Sequence, residues 1–211
     1  MLVNYTLNDY VKEVASSKPA PGGGSVSALV ASLGVALSSM VYNLTIGRKF
    51  YDEYDNDIKD ELESGLKICE RLLSEVMELV DEDKKAYEEV ISAIKMPKDT
   101  DEDKVKRSEK LEKAYMKAIN VPLKLARLCS EGFAPTLLIA QYGNPNAVSD
   151  AAVGALLLFA GLQSAMINVK VNAKYIKDKS FVDSVLSECD DLIKRYEPIR
   201  DEILNISMKD L

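Results

Sequence analysis

The chain has 211 residues, an apolar share of 47% and a charged share of 29%, the proportions of a soluble globular protein with enough length for a substantial core. Its 27 Lys and Arg stand against 34 Asp and Glu, and a net charge of −7 argues against broad nucleic-acid binding, which needs a basic face. Histidine is absent, which removes the usual zinc ligands, the Ser-His and Cys-His nucleophile pairs and the commonest neutral-pH proton carrier.

In chain order, Thr6 to Asp9 reads as a capping box that opens a short helix through Val11 and Val14. Pro19 and Pro21 then restrict the backbone, and Gly22, Gly23 and Gly24 permit close approach before a helix start expected at Ser25. Free N–H groups at such a start suit an anion or a polar ring edge, but no dinucleotide or P-loop spacing is present, and a linker with an ordinary cap explains the same residues. The helix expected from Ser25 to Thr45 is apolar nearly all round, with small residues at Ala28, Ser32, Ala36 and Ser39 that suit a central, closely approached position. Asn43, near its end, is either a structural amide or a ligand contact.

Leu62, Leu66, Cys69, Leu73, Val76, Val80, Asp83, Tyr87, Val90 and Ile94 recur at helical spacing, the stripe of a core-facing helix. Asp81 and Glu82 are expected to face solvent, whereas Asp83 stands where Val or Leu belongs. A carboxyl placed there is either paired for structure or held protonated as a general acid.

Pro97 breaks this helix, and Thr100 with Asp103 caps the next, whose stretch from Lys104 to Lys113 reads as a solvated face. Pro122 is expected to kink that helix, and Gly132 to Pro135 to end it, leaving a short apolar piece from Thr136 to Tyr142. Gly143 to Asn146 is a turn signature. Ser149 as N-cap and Asp150 at the positive end of the dipole then open a long helix, Ala151 to Val169, uncharged along its length. Gln163, Ser164 and Asn168 argue against a membrane span, and Ala151, Gly154, Ala155, Gly161 and Ala165 predict packing against the first apolar helix. Asn168 and Asn172 share one face and either hold a heterocycle or bond to backbone. Ser180 with Asp183 starts a last amphipathic helix, bent near Pro198, as a bundle wall or dimer face.

No strand pattern appears, so the expected fold is all-α, one domain over residues 1–211 built as a bundle of about six helices. Cys69, Cys129 and Cys189 are odd in number and form no C-x-x-C pair, and no signal-peptide pattern precedes them. They read as reduced, mostly buried thiols of a cytoplasmic protein.

Several segments together resemble the formiminotetrahydrofolate cyclodeaminase and methenyltetrahydrofolate cyclohydrolase family. They are Pro19-x-Pro21-Gly22-Gly23-Gly24-Ser25-Val26-x-Ala28, Met40-Val41-x-Asn43-Leu44-Thr45-x-Gly47-Arg48-Lys49-x-Tyr51, and Leu79-Val80-Asp81-x-Asp83-x-x-Ala86-Tyr87 with Pro97 beyond it. Ala118-Ile119-Asn120-Val121-Pro122-Leu123-Lys124-Leu125-Ala126 and the set Gly143-Asn144, Ser149-Asp150, Asn168-Val169-x-x-Asn172 extend the resemblance over nearly the whole chain. It implies a tetrahydrofolate derivative as substrate, no metal, Asp83 as proton donor and shuttle, and Asp150 orienting or balancing charge. It also implies Asn43, Asn168 and Asn172 on the pterin edge, Gly22 to Ser25 walling the pocket, and Tyr51, Asn144 and Ser149 among the binding residues. Arg48 and Lys49 would meet the glutamate tail. Phe50, between Lys49 and Tyr51, departs from the longer basic run of the family and bears on the number of tail contacts. A homodimer with the cleft near its interface is expected, without membrane or nucleic-acid partners. The activity the resemblance implies is formiminotetrahydrofolate cyclodeamination, releasing ammonia and forming 5,10-methenyltetrahydrofolate, with methenyltetrahydrofolate cyclohydrolase as the alternative; the rival of another class is a helical interaction module without turnover.

Overall fold

The structure, a computed structural model, describes residues 1–209. These contain a 3-10 turn, Leu2–Asn4, followed by seven helices: α1 Leu7–Val14, α2 Gly23–Asn43, α3 Lys49–Asp52, α4 Asn56–Ile94, α5 Asp101–Tyr142, α6 Val148–Ala173 and α7 Lys179–Ser207. The five long helices build the all-α bundle expected from periodicity, and the short α3 is an addition to it. Helix α5 lies behind a layer ordered α4, α2, α6, α7 and touches all four.

Small residues set the central crossing. A Cβ added at Gly34 would sit 2.8 Å from the Gly154 carbonyl, and one at Gly161 would sit 2.8 Å from the Ala31 Cβ, so α2 and α6 meet nearly backbone to backbone. Among the described residues α2 and α6 are also the two helices long and apolar enough to cross a membrane. Part of their apolar surface is used in this crossing and against α5, and part stays exposed on the outer side. Tyr42, fully buried, fits because Gly65 opposite lacks a Cβ, and its phenol donates to the Pro135 carbonyl at 2.7 Å. All three cysteines are buried, and burial pushes the Cys69 and Cys129 thiols up to about 12 and Cys189 to about 11, so none is poised as a nucleophile.

Four local expectations are corrected. Gly132 to Pro135 does not end a helix: α5 runs unbroken through both Pro122 and Pro135. A proline inside a helix removes one N–H and frees the carbonyl four residues earlier. For Pro122 that carbonyl belongs to Ala118, and the Asn172 amide donates to it at 3.0 Å, so α6 compensates a defect in α5. Ser149 is not the N-cap of α6, which begins one residue earlier after Ala147 with no side-chain cap. The last helix is capped by Asp178, which accepts from the Phe181 N–H at 3.1 Å, rather than by Ser180.

The fourth correction is Asp81. Expected in solvent, it is buried and accepts from the Leu2 N–H at 2.6 Å and the Val3 N–H at 3.3 Å. It anchors the start of the chain on α4, two residues from Asp83. Tyr10 of α1 is buried as well, hydrogen-bonded to Ser25 Oγ at 2.9 Å.

Candidate active site

Helix α2 begins at Gly23, with Gly22 as its N-cap, two residues before the expected start. The Ala20–Pro21 peptide ahead of it is cis. The first turn of α2 lies against α4: Ser25 Oγ donates to the Val80 carbonyl at 2.9 Å, and the Ser25 N–H donates to Asp83 Oδ2 at 3.0 Å. One of the N–H groups that a helix start leaves open is thereby used on a carboxylate of the protein itself. A Cβ at Gly24 would overlap the Asp83 carboxyl, which explains a glycine there without appeal to a turn.

Asp83 opens into a cleft of ≈330 Å³ bounded by four elements. Pro19, Ala20 and Gly22 to Gly24 form one wall; Ala86, Tyr87, Val90, Ile91 and Ile94 of α4 form the second. Tyr115 and Ala118 of α5 and Asn168, Val171, Asn172 and Tyr175 at the end of α6 close it. Among the described residues Asp83 is the one carboxyl in this lining. Burial raises its pKa above the ordinary 3.8, opposed by the hydrogen bond from the Ser25 N–H, which favours the charged form. The upward direction makes this carboxyl easier to protonate than one in open solvent, which suits a group that must accept and return a proton. A larger surface groove, ≈640 Å³ between α4 and α5, is lined by Glu82, Lys85, Lys113, Lys117 and Lys124. Its two glutamates, Glu82 and Glu112, stand among four lysines on an open surface, so chemistry rather than volume selects the smaller cleft.

The two asparagines serve structure through their amide nitrogens. Asn168 Nδ2 donates to the Ser164 carbonyl at 2.8 Å, and Asn172 Nδ2 donates to the Asn168 and Ala118 carbonyls, both at 3.0 Å. Their side-chain oxygens have no donor among the described residues, and both asparagines line the cleft.

The sequence-predicted residues fall into two groups. Gly22, Gly23, Gly24, Ser25, Asp83, Asn168 and Asn172 meet at the cleft. Asn43, Arg48, Lys49, Tyr51, Asn144, Ser149 and Asp150 lie at the opposite end of the antiparallel α2–α6 pair, about 30 Å away along an α2 of 21 residues. Within one chain Asn43 therefore does not join Asn168 and Asn172, and Arg48 and Lys49 do not reach a ligand in this cleft. Asn43 is exposed, with Nδ2 on the Ser39 carbonyl at 2.9 Å. Asn144 ties the end together, donating to the Leu44 carbonyl at 3.0 Å and accepting from the Asn146 N–H at 3.0 Å. Tyr51 is buried, bonded to Glu63 at 3.3 Å and covered by Lys59. Missed as site residues in the sequence were Tyr87 and Tyr115, whose helical positions look the same whether they fill a core or line a cleft, and Tyr175, which lies just past the end of α6.

Residues 6–191 match the family model described as Formiminotransferase-cyclodeaminase. The methenyltetrahydrofolate cyclohydrolase of Methylorubrum extorquens is 38% identical over 203 residues, covering 96% of each protein. The formimidoyltransferase-cyclodeaminase of Rattus norvegicus is 36% identical over 92% of this chain, which spans 35% of that longer protein. The crystal structure of formiminotetrahydrofolate cyclodeaminase from Thermotoga maritima superposes with a TM-score of 0.86 at 27% identity, covering 99% of this chain and 98% of that one. By sequence and by architecture, the chain belongs to the formiminotransferase-cyclodeaminase family.

Proposed function

We propose that this chain is a folate one-carbon enzyme acting on the carbon that bridges N5 and N10 of a tetrahydrofolate, with Asp83 as its proton carrier. The observation that carries the reading is a single half-buried carboxyl in a cleft lined otherwise by glycines, two asparagines, tyrosine rings and aliphatic side chains. The cyclohydrolase reaction comes first, supported by full-length similarity to a protein of that name. Water adds to the methenyl carbon and gives a proton to the Asp83 carboxylate. The resulting carbinolamine then loses its bond to N5, which takes the proton back from Asp83, and the remaining hydroxyl proton leaves as the formyl carbonyl forms on N10.

Cyclodeamination is the second reading, supported by the likeness to the Thermotoga structure. In that direction N10 attacks the carbon of the protonated N5-formimino group and the N10 proton passes through Asp83 to the departing amino nitrogen, so that neutral ammonia leaves and the 5,10-methenyltetrahydrofolate cation remains. The same carboxyl handles both breakdowns, because each expels a nitrogen from a tetrahedral carbon.

A homodimer is part of this reading. Leu33 and Met40 of α2 and Val153, Leu156, Ile167 and Val171 of α6 are exposed on the outer side of the central pair, an apolar stripe that a second copy would cover. Val171 also lines the cleft, which sets the proposed interface beside the site. Light scattering giving a dimer mass that Ile167→Lys halves supports this; a monomer for the unsubstituted chain rejects it.

The enzyme reading is tested by following the methenyl absorbance of tetrahydrofolate substrates in parallel. Its loss from 5,10-methenyltetrahydrofolate identifies the cyclohydrolase, its appearance from 5-formiminotetrahydrofolate the cyclodeaminase. Turnover of neither, with no binding of either, leaves the interaction module.

A further inference from the structure

Beyond Asn168 and Asn172 the cleft opens toward the last turns of α4 and the outer half of α5. There Tyr115 and Tyr175 stack, with ring centroids 4.5 Å apart and planes at 12°. Tyr175 is 58% exposed, so its ring is placed by Tyr115 rather than by burial. Along α5, Tyr115, Leu111, Ser108 and Arg107 follow at helical spacing and carry one face about 12 Å further out from the tyrosine pair.

Two cations stand at that outer end. Arg107 donates through Nε and Nη2 to the carbonyl of Ile94, 3.3 Å each, and Ile94 is the last residue of α4 and a lining residue of the cleft. Its Nη1 hydrogens are left for another acceptor. Lys177, two residues past Tyr175, donates to Ser108 Oγ at 3.1 Å. Neighbouring Lys104 and Lys106 pair with Asp101 and Glu102, whereas Arg107 and Lys177 form no ion pair among the described residues.

We propose that this outer stretch is a tail subsite: an aromatic ring of the substrate rests on Tyr115 and Tyr175, and the carboxylates that follow it meet Arg107 and Lys177. The inference rests on the tetrahydrofolate reading, and its support is an order of groups. A tetrahydrofolate presents a bicyclic head, then an aminobenzoyl ring, then glutamate carboxylates; the protein presents Asp83 with two asparagines, then a tyrosine pair, then one guanidinium and one ammonium group. Arg107 is anchored by a backbone carbonyl rather than by an acid, so its charge is not cancelled before a carboxylate arrives. These residues position substrate and take no part in bond making.

The test reads KM and kcat separately for 5,10-methenyltetrahydrofolate with one and with three glutamates and for the matching pteroate that lacks glutamate. Replacing both cations, Arg107→Ala with Lys177→Ala, is expected to raise KM for the glutamylated forms about tenfold, with kcat kept within about twofold and the tail-less pteroate unaffected. The charge-conserving pair Arg107→Lys with Lys177→Arg restores most of the affinity, which separates charge from any loss of fold. Tyr175→Ala raises KM about fivefold for tailed and tail-less substrates alike, because the ring is common to both. A double-alanine variant that keeps the unsubstituted ratio of tailed to tail-less KM overturns the subsite alone. Absence of turnover in the unsubstituted enzyme overturns the tetrahydrofolate reading and the subsite with it.

Discussion

The two ends of the α2–α6 pair are both polar breaks in an apolar bundle, yet they are finished differently. At the far end the polar groups close on backbone: Asn144 on Leu44, Thr45 on Val41, Tyr54 on Tyr142, with Gly47 supplying the left-handed turn at φ 76°. At the cleft end Asp83 is held by a single N–H, and the amide oxygens of Asn168 and Asn172 have no donor among the described residues. Satisfied polar groups stabilise a fold; groups oriented but not satisfied are what a ligand needs. The difference between the ends, rather than the presence of polar residues, marks the site.

The comparison is broken or sharpened by substitution at each end. The largest effect is expected from Asp83→Asn, which keeps shape and the Ser25 contact but cannot carry the proton; turnover falls about 10²- to 10⁴-fold with the circular-dichroism spectrum unchanged. Gly24→Ala comes next: its methyl displaces the carboxyl, with turnover down about 10²-fold and an overpacking cost of about 1–3 kcal/mol in denaturant melts. Asn172→Leu strands the Ala118 carbonyl that Pro122 has freed, costing about 1–3 kcal/mol in the same melts. At the far end, Asn144→Ala costs about 1 kcal/mol of stability, and kcat stays within about twofold. Asp150→Asn has the smallest effect, with kcat unchanged. A large fall in kcat there would mean that the far end of one copy serves the cleft of another.

Stability against pH carries the same contrast. Because the folded pKa of Asp83 is raised by burial, its ionisation disfavours the folded state. That contribution is absent below the unfolded value of 3.8, grows as pH rises through the folded pKa, and is constant above it. Asp83→Asn removes it, so the variant gains stability relative to the parent across that window while losing activity. A gap that instead closes as pH rises would show a lowered pKa.

Much of the bundle was legible because buried helices repeat a period that needs no distant information. Leu62, Cys69, Val76, Val80 and Val90 announce the inner face of α4, and the small residues of α2 and α6 announce their crossing. Asp83 was visible for the same reason, as a carboxyl on an apolar stripe. What failed depended on partners remote in sequence. Asp81 reads as a surface acid until the N–H groups of Leu2 and Val3 reach it across nearly the whole first half of the chain. Pro135 reads as a stop, but a helix enclosed on several sides by α2, α4, α6 and α7 keeps its path through one missing hydrogen bond. Arg48, Asn144 and Asp150 joined the sequence-based site because motif order carries no distance, and an antiparallel pair sends its two ends apart.

The central claim is that Asp83 is a carboxyl partly withdrawn from water at the cleft, and its own titration tests it without reference to any substrate. In a protein labelled with ¹³C at the aspartate carboxyl carbons, the resonance lost in Asp83→Asn identifies the group. A midpoint displaced above 3.8, the ordinary aspartate value, is the predicted result; a midpoint at or below it would contradict the account.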